Sequence, residues 1–149
     1  MPTDFVLELR NVSSLTEARF AAGEGFTHIR LSPDLASQGD AIILGIKEFL
    51  SGLAVGLELP AGTQLPAWAD YAVRGDALQS EQINLPLADA HQANAQSICI
   101  LDNVSQATAE KLPPAAGLSI PSPAEYKTGF ADFEPLQDLL EIVRAHYGL

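Results

Sequence analysis

Short apolar runs alternate with helical stripes along most of the chain. Phe5 to Leu9 (FVLEL) is apolar and β-favouring, the pattern of a strand buried on both faces of a parallel sheet. Ser14 precedes Leu15, and Glu17 follows at the spacing of a capping box, which marks a helix start. Leu15, Ala18 and Ala22 then recur at helical spacing, with Ala21 beside them, and these small side chains let a helix lie close to a sheet. Gly23 and Gly25 stop the helix, and Phe26 to Leu31 is the next strand. Strand, helix, strand is a βαβ crossover, so the stretch from Glu8 to Ser32 predicts a parallel α/β architecture.

LSPDLASQGD follows as a polar turn. Ile42, Ile43, Ile46, Phe49 and Leu50 form a second helical stripe, ended by Gly52. Leu53 to Leu59 (LAVGLEL) predicts a third buried strand, and PAGTQLPAW is too rich in turn residues for a normal crossover helix. Ala69 to Arg74 predicts a fourth strand, ending in Gly75-Asp76. Residues 77 to 115 carry the weakest pattern. They predict a short strand at Ile83 to Leu87, a clear one at Ser97 to Leu101, and a helix from Ser105 to Leu112 ended by Pro113-Pro114. A last helix starts near Asp132, with Leu136, Leu139, Leu140, Val143 and Tyr147 on one face.

The 149 residues fit one domain spanning 1–149, and 47% apolar content is enough for a core. A net charge of -11 argues against nucleic acid or an anionic membrane as partner. An anionic ligand then needs a locally positive site. No signal peptide or transmembrane run is visible, so a soluble cytoplasmic protein is expected. Cys99 is the only cysteine, which excludes a disulfide framework and a cysteine zinc site. No P-loop, dinucleotide fingerprint, nucleophile elbow or metal motif occurs, so no cofactor is expected. His28, His91 and His146 do not cluster; His28, in a strand beside Arg30, reads as a satisfied structural histidine.

The helix LTEARFAA closely resembles the L-x-D/E-A-R-x-A helix of phosphoribosylanthranilate isomerase, the (β/α)8-barrel enzyme of tryptophan biosynthesis. ADYAVRGD is similar to that family's fourth strand, D-x-V-Q-L-H-G-D. Gly117 to Asp132 (GLSIPSPAEYKTGFAD) aligns without a gap on its last strand and loop, G-V-D-V-S-S-G-V-E-x-x-P-G-x-K-D, where Gly117, Ser122, Glu125, Gly129 and Asp132 match. Together these motifs cover roughly residues 5 to 76 and 115 to 146. A (β/α)8 barrel usually takes about 250 residues, and this chain is too short for eight full units. The resemblance therefore implies a shortened or incomplete TIM-barrel-like α/β fold of about six to seven parallel strands. Lost strands would leave open sheet edges, which predicts a homodimer that covers the gap.

The family reaction, an Amadori rearrangement of an aminoaldose, needs a general base and a general acid. Aligned on Leu15, the family's catalytic cysteine falls on Arg10, the glycine after it on Asn11 and the lysine before it on Glu8. Arg10 cannot act as a base. It reads either as an anion clamp at the barrel mouth or as a strand-end arginine paired with Glu8 or Asp102. Arg74 stands where the family has histidine, and Asp34 follows Ser32-Pro33 where the family has a carboxylate-recognising arginine. Asp102 ends an apolar strand like the family's acid strand, or else caps the next helix. Pro123 replaces a phosphate-loop glycine, leaving Ser122 as a candidate anion ligand or a plain turn residue.

Two functions follow. The first is an isomerase-like protein that has lost the family activity and serves as a binding barrel for a small anionic ligand or a partner, through Arg10, Arg74 and Ser122. The second is an active sugar-phosphate isomerase with a rearranged acid–base pair, Glu58 and Asp102.

Overall fold

The computed structural model of the chain describes residues 5–50, 52–104, 112–123, 125–127 and 130–149. Eight strands close into a barrel in chain order: β1 (Val6–Val12), β2 (His28–Leu31), β3 (Ala54–Glu58), β4 (Tyr71–Arg74), β5 (Ala77–Gln79), β6 (Asn84–Ala88), β7 (Ile98–Ile100) and β8 (Gly117–Pro121). β8 pairs with β1 in parallel and completes the ring. The pairings of β5 with β4 and with β6 are antiparallel, and the other six are parallel. Seven strands therefore run one way and β5 runs against them.

The helices are α1 (Leu15–Gly23), α2 (Pro33–Ala36), α3 (Asp40–Lys47) and α4 (Glu134–Tyr147). A two-stranded antiparallel ribbon, β9 (Glu125–Lys127) with β10 (Phe130–Ala131), lies between β8 and α4 in the chain. The capping box forms around α1, as the serine and glutamate spacing predicts. Ser14 accepts from the Glu17 N–H, while the Glu17 carboxylate accepts from the N–H and hydroxyl of Ser13 and the hydroxyl of Ser14. Odd-numbered residues of β1 face outward on this helical layer. Leu7, Leu9, Ile29, Val55, Leu118 and Ile120 share one core with Ala18, Ala21, Leu136, Leu139, Leu140 and Val143. Period-two alternation puts the neighbouring positions inside the ring.

The interior is filled in two layers. Val6, Tyr71, Val73, Leu78 and Ile98 meet across the ring with Ile83, Leu85 and Leu87. Above them lie Glu8, Arg30, Ser119 and the Tyr71 hydroxyl. Glycine makes room for two of these side chains. A Cβ on Gly56 would stand 2.6 Å from the Tyr71 ring, and one on Gly117 would collide with Val6.

Several expectations need correction. The ring has eight strands and is closed, so the open edge that motivated a homodimer is absent from it. The sheet is mixed, because a hairpin replaces a βα unit after β4. Arg74 pairs with Ala77 across the two-residue turn Gly75-Asp76, and Gly75 takes φ 57 at the first turn position, as such tight hairpins require. Ser80 then accepts from the N–H groups of Gln82 and Ile83 and turns the chain back into β6. Two hairpins close the gap with far fewer residues than two helical crossovers would use. The second helical stripe is also less buried than its spacing predicts. Ile43 is buried, whereas Ile42 and Phe49 are exposed. The helix expected from Ser105, and Gly129 of the last motif, lie outside the described residues. No helix among the described residues is long and apolar enough to cross a membrane.

Candidate anion-binding mouth

β1 places ionisable side chains inside the barrel at alternate positions, Glu8 and Arg10, and β2 does the same with His28 and Arg30. Glu8 is fully buried. Arg30 reaches it from the adjacent strand, donating from Nη2 at 2.5 Å and from Nε at 3.2 Å. Ser119 donates to the same carboxylate at 2.6 Å, and Tyr71 donates at 2.7 Å from the far side of the ring. Burial alone would push the Glu8 carboxyl up. Arg30, Ser119 and Tyr71 outweigh it and hold the carboxyl below its usual range. The fully buried Tyr71 phenol is pushed well up, by burial first and the Glu8 charge second.

Arg10 lies one inward position above Glu8 but does not pair with it. Its Nη1 donates to the Ser119 carbonyl at 2.6 Å and its Nη2 to the Leu101 carbonyl at 2.6 Å. Arg10 thus ties the ends of β1 and β8 to the residue after β7, at the seam that closes the ring. Burial and the nearby Arg30 charge lower its pKa, while Glu8 and Asp102 oppose them. Both guanidinium groups touch the Ser119 hydroxyl, at 3.3 Å and 3.4 Å. Neither Nε of Arg10 nor Nη1 of Arg30 has a hydrogen-bond partner among the described residues. Next to Arg10, the β1–β2 register shifts between Leu9 and Val12, and Asn11 takes the left-handed φ of 59. Such a bulge re-aims side chains at a strand end.

These residues floor a cleft of about 540 Å³ at the C-terminal ends of the strands. Leu31, Leu57, Leu59 and Pro60 supply an apolar wall, and Glu58 stands exposed on the rim. This is the face where barrel enzymes place their sites. No protein-family model matches the chain. No curated protein matches it either. The site therefore rests on its own geometry.

Of the residues expected to act, Arg10 and Glu58 come together at the cleft. Arg74 does not. It shares its outward parity with Ala72 and Asp70 and lines a separate surface hollow with Gln79. Ser122 is occupied elsewhere, donating to the buried Glu17 carboxylate at 2.5 Å while its N–H bonds the Arg10 carbonyl. Asp102 is exposed after β7, and β7 stands opposite β3 in the eight-strand ring, so Glu58 and Asp102 are not neighbours. Sequence reasoning missed Arg30 as a cleft residue and Glu8 as its partner. The available signal was two ionisable residues spaced by two in each of two strands that are otherwise apolar.

Proposed function

We propose that this chain is a reduced, isomerase-like barrel that holds a small anion at its C-terminal mouth and does not catalyse the aminoaldose-to-aminoketose rearrangement. Arg10 carries this reading. It stands at the strand end where the phosphoribosylanthranilate isomerase family has its base, it cannot accept a proton, and it is engaged with two backbone carbonyls. Arg30 beside it lines the cleft, and its Nη1 makes no hydrogen bond to the described residues. Two guanidinium groups over one buried carboxylate give the floor one excess positive charge, which Glu58 on the rim opposes.

The family relationship is supported by the capped LTEARFAA helix between two parallel strands. It is also supported by Asn11, which takes a left-handed backbone, the conformation glycine adopts most readily, at the position aligned on the family's glycine. A soluble, cytoplasmic life fits this reading. The alternative, catalysis by Glu58 with Asp102, is weakened by their positions across the ring. An isomerase assay with phosphoribosylanthranilate, and complementation of a strain lacking that enzyme, test the claim. No turnover and no growth are expected. Turnover abolished by Glu58→Gln would replace this reading with the enzymatic one.

A further inference from the structure

The mouth carries two unlike charges that no contact joins. Arg10 spends its terminal nitrogens on the Ser119 and Leu101 carbonyls, and Arg30 spends Nε and Nη2 on Glu8. Nη1 of Arg30 makes no hydrogen bond to the described residues. Yet none of their buried side-chain nitrogen or oxygen atoms lacks a partner. Nη1 is therefore reached by solvent, and Arg30, whose side chain is 12% exposed, lines the cleft. A ligand in the cleft can meet this nitrogen.

Glu58 is the anionic counterpart. Gly56 faces the Tyr71 ring inside the barrel, so Glu58, two residues on, is the next inward position and ends β3. Gly56 pairs with Arg30 across the β2–β3 ladder. Glu58 thus stands about 7 Å further along the strand than Arg30 and about 5 Å to one side. Its carboxylate is exposed and makes no hydrogen bond or ion pair with the described residues. Burial pulls the Arg30 pKa down, but its hydrogen bond to Glu8 and the Glu8 charge outweigh this, and the Glu58 charge adds to them. Glu58 is within electrostatic reach of Arg30, and the space between them is open cleft.

The surface around that space is largely apolar. Leu59 and Pro60 continue the chain beyond Glu58, and Pro33 and Ala36 of α2 also line the cleft. Two further polar side chains belong to the lining. Asn11 is exposed beside Arg10, and the Ser32 hydroxyl accepts from the Leu35 N–H as the N-cap of α2. A plain carboxylate at Nη1 would lie near an uncompensated Glu58. An ammonium group on the same molecule turns that repulsion into attraction.

We propose that the mouth takes a dipolar ligand, a small amino acid whose carboxylate meets Arg30, whose ammonium group meets Glu58 and whose short apolar chain spans the two. This rests on the anion reading of the mouth and narrows it to carboxylates that also carry an amine.

Three probes of equal chain length test it: hexanoate, 6-aminohexanoate and hexylamine. Each is titrated into ¹⁵N-labelled protein at neutral pH and low salt, and followed by NMR at the amides of Leu31, Leu59 and Gly75. In wild type, 6-aminohexanoate should bind about fivefold more tightly than hexanoate, the worth of one close charge pair in water, and more tightly than hexylamine. Glu58→Gln should remove that advantage, weakening 6-aminohexanoate and tightening hexanoate. Hexanoate or hexylamine binding wild type as tightly as 6-aminohexanoate overturns the proposal. Hexanoate that binds at these amides with no gain from the amine leaves the anion reading standing. Failure of every probe to shift these amides, in wild type and variant, overturns both. The wild-type comparison decides the matter even if the variant does not fold.

Discussion

Arg30 on β2 donates two hydrogen bonds to the buried carboxylate of Glu8 on β1, and Glu8 has no other cationic partner among the described residues. Removing one member of such a pair strands the other charge in a low-dielectric interior. Glu8→Gln should therefore cost about 3–5 kcal/mol in urea denaturation. The paired replacement Glu8→Leu with Arg30→Met should recover much of that loss, because apolar groups of similar volume need no partner. Losses that simply add in the double variant would contradict the pairing.

Ser122 is a structural fastener between the loop after β8 and the start of α1. Ser122→Ala leaves the buried Glu17 carboxylate short of one donor at its Oε1. The expected destabilisation is about 1–3 kcal/mol, with anion affinity at the mouth unchanged. A loss of affinity at full stability would return Ser122 to the ligand site.

Gly56 faces Tyr71 inside the ring. A methyl group there meets the ring at 2.6 Å, and the ring is pinned by its hydroxyl on Glu8 and its edge contact with His28. Gly56→Ala should cost about 1–3 kcal/mol through overpacking. An unchanged midpoint in chemical denaturation would mean that the ring can move aside.

Acid should unfold the protein in two stages. His28 and Glu8 both have pKa values lowered in the folded state. The unfolded chain then takes up more protons than the folded one as pH falls, so stability falls with it. The His28 contribution is present above its ordinary value of 6.5 and is lost as pH drops through its lower folded value. The Glu8 contribution is lost in the same sense below 4.5. His28→Phe should flatten the stability profile near neutrality and leave the steeper loss in acid. An unchanged slope between pH 5 and 7 would contradict the assignment.

The parts of the fold written in strong local signals were legible. Ser14 and Glu17 announced α1, and FVLEL and SICIL announced β1 and β7. β5 was not legible, because Ala77–Gln79 is too short to show a period of two. The Gly75-Asp76 pair that reverses the chain there was read through its likeness to a family motif rather than as turn chemistry. That reading, together with a length too short for eight full βα units, turned a closed mixed barrel into an expected gap. The site divided in the same way. Arg10 was legible as a strand-end guanidinium, but its true partners are backbone carbonyls, which no side-chain pattern reveals. Arg74 and Ser122 were placed by alignment. Strand parity sends the first outward, and the Glu17 carboxylate claims the second.

The most direct test of the anion-binding mouth is calorimetric titration with an analogue of the ribulose-phosphate product of the family reaction. It should be run at low and high salt on wild type and Glu58→Gln. Glu58 is exposed on the cleft rim and repels an anion, so its neutralisation should tighten binding about two- to fivefold at low salt and less at high salt. Saturable binding with that dependence is the predicted result. No heat at millimolar ligand, or an affinity indifferent to Glu58 and to salt, would contradict an anion site at this mouth.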